Sequence, residues 1–383
     1  TQLQSSAASD VYKRQQFFDA NISVGIRNGD TSNYEKRKQI IKPPNILITT
    51  PESLTLLIAN KEANKLFTNL FSIIIDEWHE LMGCKRGNQC ELALSWLRGN
   101  NNNIQIWAMS ATMGNIEEAA SSILGLSCKQ PKIIKSNIVK SIEIKSVIPD
   151  NIGTFPWSGH LGIKSHKSLI KEIDKSKSTL IFTNTRNQSE RWFQCLRYFN
   201  PEMEDNIALH HGSLDKEDRK LVEEGVKEGS IKWVVCTSSL DLGVDFQPVD
   251  QIVQIGSAKN IGRLIQRAGR SAHKPGGISK ILFMPTNALE LLEVSAMRKL
   301  INKGITEKIN IPELSYDVLL QHLVTLACGP GFDPNIEKER IKNCLSYRNL
   351  KDEDWNWCLD FLEYGGRCLK AYPKYKKIEK NYE

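Results

Sequence analysis

The stretch F-S-I-I-I-D-E-W-H, residues 71–79, decides the fold of the chain, because an apolar run ends directly in a cluster of polar side chains. Three consecutive isoleucines favour a β-strand. A strand that is apolar at every position is typical of a parallel sheet covered on both faces. In open α/β sheets, ligands bind just beyond the carboxyl ends of the strands. The stretch therefore predicts a parallel sheet with a functional site that begins at Asp76.

Similar apolar runs recur along the chain and alternate with stretches of helical apolar spacing, which indicates an α/β fold. Near the first stretch, the predicted strands are Ile46–Thr49 and Ile104–Met109, and the predicted helices are one that starts at Thr50-Pro51-Glu52 and one over Cys90–Leu97. Farther along, the predicted strands are Thr179–Phe182, Ile207–His210, Trp233–Cys236, Ile252–Ile255 and Lys280–Met284. The helices predicted between them are Gln188–Tyr198, Lys216–Lys227 and one that starts over Arg263–Arg267.

These patterns divide the chain into four segments. Residues 1–20 are rich in Ser, Ala and Gln, lack the features of a signal peptide, and form a poorly defined N-terminal segment. Residues 21–135 are a first α/β lobe, and the less periodic stretch from Gly125 to Ile163 marks its boundary with a second lobe, residues 136–308. Residues 309–383 are mainly helical, with helices predicted over Val318–Cys328 and Ile336–Ser346.

Composition excludes several classes of protein. The 383 residues contain 51 Lys and Arg against 44 Asp and Glu, a net charge of +7 that permits a polyanionic partner but equally suits an ordinary solvated surface. No apolar run approaches the roughly 18 residues of a membrane span. The nine cysteines include no C-x-x-C pair, which argues against a disulfide scaffold or zinc ribbon and favours the reducing cytoplasm.

The carboxylate pair Asp76 and Glu77 follows its predicted strand directly. One carboxylate of such a pair can hold Mg²⁺ on a nucleotide while its neighbour orients or deprotonates the attacking water, and His79 could sense the γ-phosphate. By itself the tetrapeptide suits a solvated acidic turn better than a catalytic site. A zinc protease is excluded by spacing, because Gly83 stands where H-E-x-x-H needs its second histidine.

Two further groups accompany this pair. Ser110-Ala111-Thr112 ends the next predicted strand with two hydroxyls. In the second lobe, Gln266-Arg267-Ala268-Gly269-Arg270 places two guanidinium groups three residues apart, a spacing that would put both on one face of a helix. Arginine suits phosphate recognition, and an inserted arginine can raise phosphoryl-transfer rates by about 10³–10⁵. A surface salt bridge is the alternative for an isolated pair.

Four segments of the chain resemble, in the same order, motifs II, III, V and VI of superfamily 2 helicases. They are D-E-W-H, S-A-T, T-S-S-L-D-L-G-V-D at 237–245, and Q-R-A-G-R. The segments at residues 76–86, 155–162, 182–186 and 210–214 are similar to those of the large helicase-related (Lhr) family, in particular its ligase-associated DEXH-box branch. This resemblance covers residues 21–375. It implies two RecA-like parallel-sheet lobes, followed by the start of a mainly helical winged-helix domain.

The resemblance also implies roles for individual residues in the use of ATP and Mg²⁺. Asp76 would coordinate Mg²⁺ and Glu77 would activate water. His79, Ser110 and Thr112 would couple the nucleotide state to the DNA, with Ala111 between them. Asp245 would lie near the ribose or the lobe interface. The residues implied to approach the triphosphate from the second lobe are Gln266, Arg267 and Arg270.

The implied partner is single-stranded DNA, a partial duplex or an RNA–DNA hybrid, tracked in the 3′ to 5′ direction. Hydroxyls and backbone amides would bind phosphates without reading bases. The family further suggests DNA repair and association with DNA ligase and nuclease proteins, and no membrane is involved. The implied DNA contacts are Gly29, Asp30, Thr31, Thr50, Thr185, Arg186, Thr237 and Ser238.

Two positions depart from the pattern of many relatives. His273 stands three residues after Arg270, where many relatives carry another arginine, although the Lhr family generally shows this form. No glycine is followed by lysine anywhere in the chain, so the 383 residues contain no G-x-x-x-x-G-K-[ST] phosphate loop. We therefore expect an internal fragment of an ATP-dependent DNA helicase, which as given hydrolyses negligible ATP.

The sequence leaves alternatives open. Without a phosphate loop, the chain could be a nucleic-acid-binding module that has no ATPase activity. A metalloenzyme built on His210 and His211 is disfavoured, because adjacent side chains on a strand point to opposite faces. Trp355 and Trp357 could stack on bases, but packing in a helical core suits them better. The tail lysines, which either contact phosphates or are simply solvated, are Lys370, Lys374, Lys376, Lys377 and Lys380.

Overall fold

The computed structural model describes residues 22–101, 103–110, 113–135, 141–148, 162–241, 249–271, 277–366, 369, 371–372, 374 and 376–379. These residues form two compact units. The central unit lies between Ser136 and Glu307. The flanking unit combines the described residues 22–135 with those from Lys308 onwards.

The front part of the flanking unit contains four short strands. Strand β1 (Val24–Arg27) pairs in parallel with β2 (Ile46–Thr49), and β3 (Ser72–Ile75) pairs in parallel with β4 (Gln105–Ala108). Thr50 caps the helix after β2 and Pro51 occupies its first turn, as the sequence predicts. The helices of this part are α1 (Asn33–Ile41), α2 (Pro51–Ile58), α3 (Ala63–Phe67), α4 (Trp78–Met82), α5 (Lys85–Asn100) and α6 (Ile116–Leu124).

Among the described residues, the two faces of the β3–β4 pair differ in how far they are covered. Ile73 and Ile75 pack into an apolar core with Trp78, whereas Ile74 is 67% exposed and Trp107, its partner on β4, is 56% exposed. Successive side chains of a strand point to opposite faces, so the described helices cover only one side of this pair. The described strands of this unit are parallel, as predicted, and form two separate pairs.

The central unit is built on a larger parallel sheet. Its strands are β5 (Ser141–Ser146), β6 (Thr179–Phe182), β7 (Ile207–His210), β8 (Trp233–Cys236), β9 (Gln251–Ile255) and β10 (Ile278–Met284), hydrogen-bonded in the order β5-β10-β9-β6-β8-β7. Separate apolar clusters cover its two faces, as predicted, with Ile181 in one and Leu180 in the other. Its helices are α7 (His166–Ile173), α8 (Arg186–Phe199), α9 (Lys216–Glu228), α10 (Ile261–Ala268) and α11 (Ala288–Asn302).

Helix α5 is the centre of the flanking unit, and residues after Lys308 pack on it. Those residues form α12 (Tyr316–Cys328), α13 (Pro334–Lys342) and α14 (Asp352–Tyr364). Leu92 of α5 belongs to the same apolar cluster as Leu319 and Leu323 of α12. Ser95 donates a hydrogen bond to the carbonyl of Arg340, 2.9 Å away. The helical segment thus shares its core with the front part of the chain.

Helix α13 is shorter than the sequence predicts. The predicted end at Ser346 is wrong, because the helix stops at Lys342 and Leu345–Tyr347 forms a separate 3₁₀ turn. Cys344 has an extended backbone at the start of that turn. The Ser346 N–H is directed at the carboxylate of Glu91 on α5, 3.2 Å away, so it leaves the helical hydrogen-bond pattern.

Glu91 is a buried carboxylate that joins α5 to this turn. It is 1% exposed, and it accepts hydrogen bonds from both the backbone N–H and the hydroxyl of Ser346. Burial raises the pKa of Glu91 to about 7, although the hydrogen bonds from Ser346 oppose the shift. The native state therefore holds a proton on this carboxyl group at pH values where the unfolded chain has lost it.

We expect this proton to make the stability of the flanking unit depend on pH. Its contribution is fully present below the unfolded pKa of 4.5 and is lost as the pH rises to about 7. The loss amounts to roughly 3 kcal/mol, since each pKa unit corresponds to about 1.4 kcal/mol. Urea unfolding of wild type and Glu91→Gln at pH 5 and pH 8 should show a wild-type loss that the glutamine variant lacks. Glu353→Gln, at an exposed position of α14, is the control and should follow wild type. The same change in unfolding free energy between pH 5 and pH 8 in all three proteins would contradict the prediction.

No helix among the described residues combines the length and the apolar character needed to cross a membrane.

Candidate functional site

The predicted carboxylate pair lies just beyond the carboxyl end of β3. Glu77 has a left-handed backbone, with φ 50° and ψ 46°, an uncommon conformation for a residue with a Cβ atom. The Asp76 carboxylate accepts a hydrogen bond from the Glu77 N–H at 3.0 Å and remains exposed. Left-handed non-glycine residues cluster at functional sites, where the surrounding structure compensates for their strain. The turn thus separates the two carboxylates from the regular strand and helix on either side.

His79 connects this turn to the end of β4. Its Nδ1 lies 3.0 Å from the hydroxyl of Ser110 and 3.5 Å from Oε2 of Glu77, and its Nε2 lies 3.5 Å from the Glu80 carboxylate. The backbone reinforces the link, because the Trp78 N–H donates to the Met109 carbonyl. The structure therefore brings two of the residues predicted for coupling, His79 and Ser110, next to Glu77, which is predicted to activate water. Ala111 and Thr112 lie outside the described residues.

The central unit places Arg267 in its interior. This side chain is 1% exposed, and its Nε and Nη2 donate to the two carboxylate oxygens of Asp241 at 2.7 and 3.1 Å. A third nitrogen donates to Gln254, and the guanidinium lies over the Phe182 ring, 4.6 Å from its centroid. A bidentate pair of this kind uses the planar fork of arginine fully. Arg267 is thus held in the core of its own unit by these contacts, and its approach to a triphosphate stays a prediction.

Arg270 has a different environment from Arg267. Helix α10 ends at Ala268 and Gly269 caps it, so Arg270 lies beyond the helix. The prediction that the three-residue spacing puts both arginines on one helix face is wrong for this reason. Arg270 remains partly exposed and donates from Nε to the backbone carbonyl of Asp241 at 3.2 Å. Gln266, on the last turn of α10, is also partly exposed.

Asp241 organises these groups, and the sequence interpretation did not single it out. It lies inside the 237–245 motif, four residues before Asp245, the residue selected from sequence. Asp245 and His273 lie outside the described residues. The only signal for Asp241 in the sequence is a carboxylate directly after an apolar strand and a short turn.

Predicted DNA contacts of the central unit follow adjacent strands. Thr185 caps α8 after β6 and accepts a hydrogen bond from the Gln188 N–H at 3.2 Å, and Arg186 contacts Glu190 at 3.1 Å. Thr237 and Ser238 follow β8, which pairs with β6 in parallel. The carboxyl ends of neighbouring parallel strands meet at one edge of a sheet, so these four residues share that edge.

The flanking unit shows the same arrangement on a smaller scale. Thr50 follows β2, and the loop containing Gly29, Asp30 and Thr31 follows the neighbouring strand β1. The Thr31 hydroxyl binds the Asn28 N–H at 3.0 Å and the Ile26 carbonyl at 3.2 Å, which holds the loop against the strand end. These predicted contacts therefore also share one sheet edge.

The remaining candidates have structural surroundings. His210 is buried, with Nδ1 2.7 Å from Ser239 Oγ, and desolvation lowers the pKa of His211. No group of three or more possible metal ligands occurs in the part of the chain that the structure describes.

Trp355 is buried as predicted, but the prediction is wrong for Trp357, which is 51% exposed because it stands on the outer face of α14. In the tail, Lys376 pairs with Glu379 at 3.0 Å, whereas Lys370 and Lys380 lie outside the described residues.

Comparisons with known proteins agree on one family. Three family models match consecutive parts of the chain: "DEAD/DEAH box helicase" over residues 3–119, "Helicase conserved C-terminal domain" over 164–274, and "Large helicase-related protein, winged helix domain" over 299–383. The ATP-dependent helicase Lhr-Core of Sulfolobus acidocaldarius is 35% identical over 92% of this chain, and that of Methanocaldococcus jannaschii is 34% identical over 93%. The chain spans 41% of the length of each of these relatives.

Solved structures support the same assignment. The structure of Mycobacterium smegmatis helicase Lhr bound to ssDNA and AMP-PNP has a TM-score of 0.79 and 28% identity, and the match covers 92% of this chain and 46% of that one. The fold predicted from sequence, two RecA-like parallel-sheet lobes followed by a helical winged-helix region, is confirmed. The chain therefore belongs to the Lhr family of superfamily 2 helicases and contains DEAD/DEAH-type core sequence together with an Lhr winged-helix domain.

Proposed function

We propose that this chain forms part of the motor of an ATP-dependent DNA helicase, in which Mg-ATP hydrolysis drives movement along single-stranded DNA. The observation that carries the proposal is the position of His79, within 3.5 Å of Glu77 and 3.0 Å from Ser110. A histidine that contacts both a carboxylate at one strand end and a hydroxyl at the next can report a change at one to the other.

The residues at this strand end suit the chemistry. Asp76 is an exposed carboxylate, the type of oxygen ligand that Mg²⁺ accepts, and would hold the ion on the nucleotide. Bound Mg²⁺ neutralises charge on the phosphates. Glu77 would orient the attacking water and accept its proton. In the central unit, we assign phosphate contact to Arg270 and Gln266, and we assign Arg267 to holding the Asp241 segment on which Arg270 rests. Thr112, Ala111 and Asp245 retain their predicted coupling roles as part of the proposal.

Single-stranded DNA is the proposed partner, bound through its phosphates. The supporting features are the two sheet edges described above and the DNA-bound state of the Mycobacterium smegmatis relative. The proposed contacts are Asp30, Thr31, Thr50, Thr185, Arg186, Thr237 and Ser238. The motif resemblance supports the rest of the proposal. The protein would act on partial duplexes or RNA–DNA hybrids and belong to the ligase-associated branch. It would serve in DNA repair and associate with ligase and nuclease proteins.

A nucleic-acid-binding module without ATPase activity is the second candidate. One observation favours it: no glycine–lysine step occurs in the 383 residues, so they contain no phosphate loop. We therefore expect negligible ATP turnover from the chain alone. Robust DNA-stimulated turnover by the purified chain would exclude this candidate.

Both candidate functions require the chain to bind single-stranded DNA, and a binding measurement tests this shared requirement. The logarithm of the affinity should fall linearly with the logarithm of salt concentration, because each phosphate contact releases counterions, with a slope of about −0.7 per contact. Arg186→Ala should weaken binding by about 3–10-fold at low salt. Arg191→Ala, on the same helix and also exposed, is the matched control and should bind like wild type. Fluorescence anisotropy measures both effects, and an absence of binding would contradict the proposed partner.

A further inference from the structure

The loop between β9 and α10 contains a strained lysine. Lys259 has φ +69°, in the left-handed region that residues with a Cβ atom seldom adopt. Its side chain is exposed, and among the described residues its ammonium group has no ion-pair partner. Because the side chain is exposed, core packing does not explain why a lysine occupies this position. Glycine would adopt this backbone without strain. The surrounding structure must hold the lysine in place.

Three carboxylates hold the backbone around Lys259. Glu290 accepts a hydrogen bond from the Ser257 N–H at 3.1 Å, and Glu293 accepts one from the Ser257 hydroxyl at 2.5 Å. That hydroxyl in turn accepts the Lys259 N–H at 3.0 Å. On the other side, Glu307 accepts the Ile261 N–H at 2.9 Å. The carboxylates are directed at loop donors, so the Lys259 ammonium is left as the cation that the loop presents to solvent.

The loop is also tied to the proposed DNA contacts. The Asn184 side chain donates a hydrogen bond to the Ser257 carbonyl at 2.9 Å, and Asn184 directly precedes Thr185. Strand β9 pairs in parallel with β6, and β6 pairs with β8 on its other side. The carboxyl ends of β8, β6 and β9 are therefore consecutive along one edge. Adjacent ends are about 4.8 Å apart, so the three span roughly 10 Å.

We infer that Lys259 binds a backbone phosphate of single-stranded DNA and extends the proposed DNA contacts of the central unit from β8 and β6 to β9. This inference rests on the proposed function. The strained backbone fixes the base of a flexible side chain, so the lysine loses less freedom when it meets a phosphate. A single ammonium group on the sugar-phosphate backbone adds affinity and salt dependence without sequence preference.

The test uses the 383-residue chain and a fluorescein-labelled oligothymidylate. Lys259→Gly keeps the left-handed backbone at no steric cost and removes the charge. We expect its affinity to fall by about 3–10-fold at low salt and its salt slope to become shallower by about 0.7. Lys259→Arg should bind within about twofold of wild type, because it keeps a phosphate-binding cation. Lys227→Ala is the matched control, with an exposed lysine at the end of α9, and should bind like wild type.

The outcomes separate the inference from the proposed function. If wild type fails to bind the oligonucleotide, the proposed function is contradicted, and the inference with it. If wild type binds and Arg186→Ala is weaker, but Lys259→Gly keeps both affinity and slope, the inference alone is overturned. A melting temperature of Lys259→Gly at or above that of wild type shows that weaker binding does not come from unfolding. A nucleotide is the other source of phosphate, so each variant is also titrated with a fluorescent ATP analogue. If Lys259→Gly lost affinity for the analogue and kept its affinity for DNA, the inference would also be overturned.

Discussion

Replacing Glu77 by glutamine is expected to lower DNA-stimulated ATP turnover by about 10²–10⁴-fold and to leave ATP binding intact. The protein for this experiment is a helicase in which these residues are accompanied by a phosphate-binding loop. Glutamine keeps the size and the left-handed position of the side chain but cannot accept the proton of the attacking water. The chemical step is therefore lost while the Asp76 carboxylate remains available for Mg²⁺. Steady-state turnover and equilibrium ATP binding measure the two effects separately.

Two control variants make this result specific. Glu80→Gln changes the neighbouring carboxylate, whose Oε1 lies 3.5 Å from His79 Nε2, and should alter turnover by no more than about threefold. Glu77→Gly should lose turnover like the glutamine variant. It should also raise the free energy of unfolding by about 1 kcal/mol, because glycine removes the left-handed strain. Turnover of Glu77→Gln near the wild-type rate would remove Glu77 from its proposed role.

Truncating Arg267 to alanine should destabilise the central unit by about 3–5 kcal/mol. The truncation leaves the Asp241 carboxylate buried without its bidentate partner, and removal of one member of a buried ion pair costs far more than loss of a surface pair. Asp241→Ala should cause a similar loss for the same reason. Chemical denaturation of each variant measures the loss, and tryptophan fluorescence follows it, with Trp192 and Trp233 as the buried tryptophans of this unit.

Arg263→Ala provides the matched control for this pair. Arg263 also approaches the Asp241 carboxylate, at 3.6 Å, but it is partly exposed, so its loss should cost no more than about 1 kcal/mol. The double variant Arg267→Ala with Asp241→Ala should lose less than the sum of the single losses, because neither charge is then left alone. A loss below about 1 kcal/mol for Arg267→Ala would contradict the structural role and restore Arg267 as a candidate for phosphate contact.

The central sheet was predictable from sequence because its strands are mainly apolar. Strands β6 to β9 begin and end within one residue of their predicted positions, since burial on both faces makes most positions hydrophobic, although His210 and Gln254 are buried polar exceptions. Strand β5 was not predicted. It lies at the edge of the sheet, where only Ile142 and Ile144 are apolar and charged residues alternate with them. This alternation is the period-2 pattern of a half-buried strand, but it differs from the mainly apolar runs on which the other strand predictions rest.

The candidate site was predictable as a set of residues but not as a set of roles. The position of Asp76 and Glu77 follows from the strand before them, and the contact of His79 with Ser110 follows from the parallel pairing of β3 and β4. The burial of Arg267 depends on Asp241, 26 residues earlier in the chain, and on Gln254. No local pattern reveals that pairing, so the sequence does not distinguish a structural arginine from one that faces a ligand.

The position of α5 limits where the chain can be cut. A dissection guided by the sequence would separate residues 309–383 as a domain of their own. Leu92, Ser95 and Glu91 would then lose the neighbours that cover them. Neither piece would retain a closed interior, so the DEXH segment and the helices after Lys308 must be expressed and purified together.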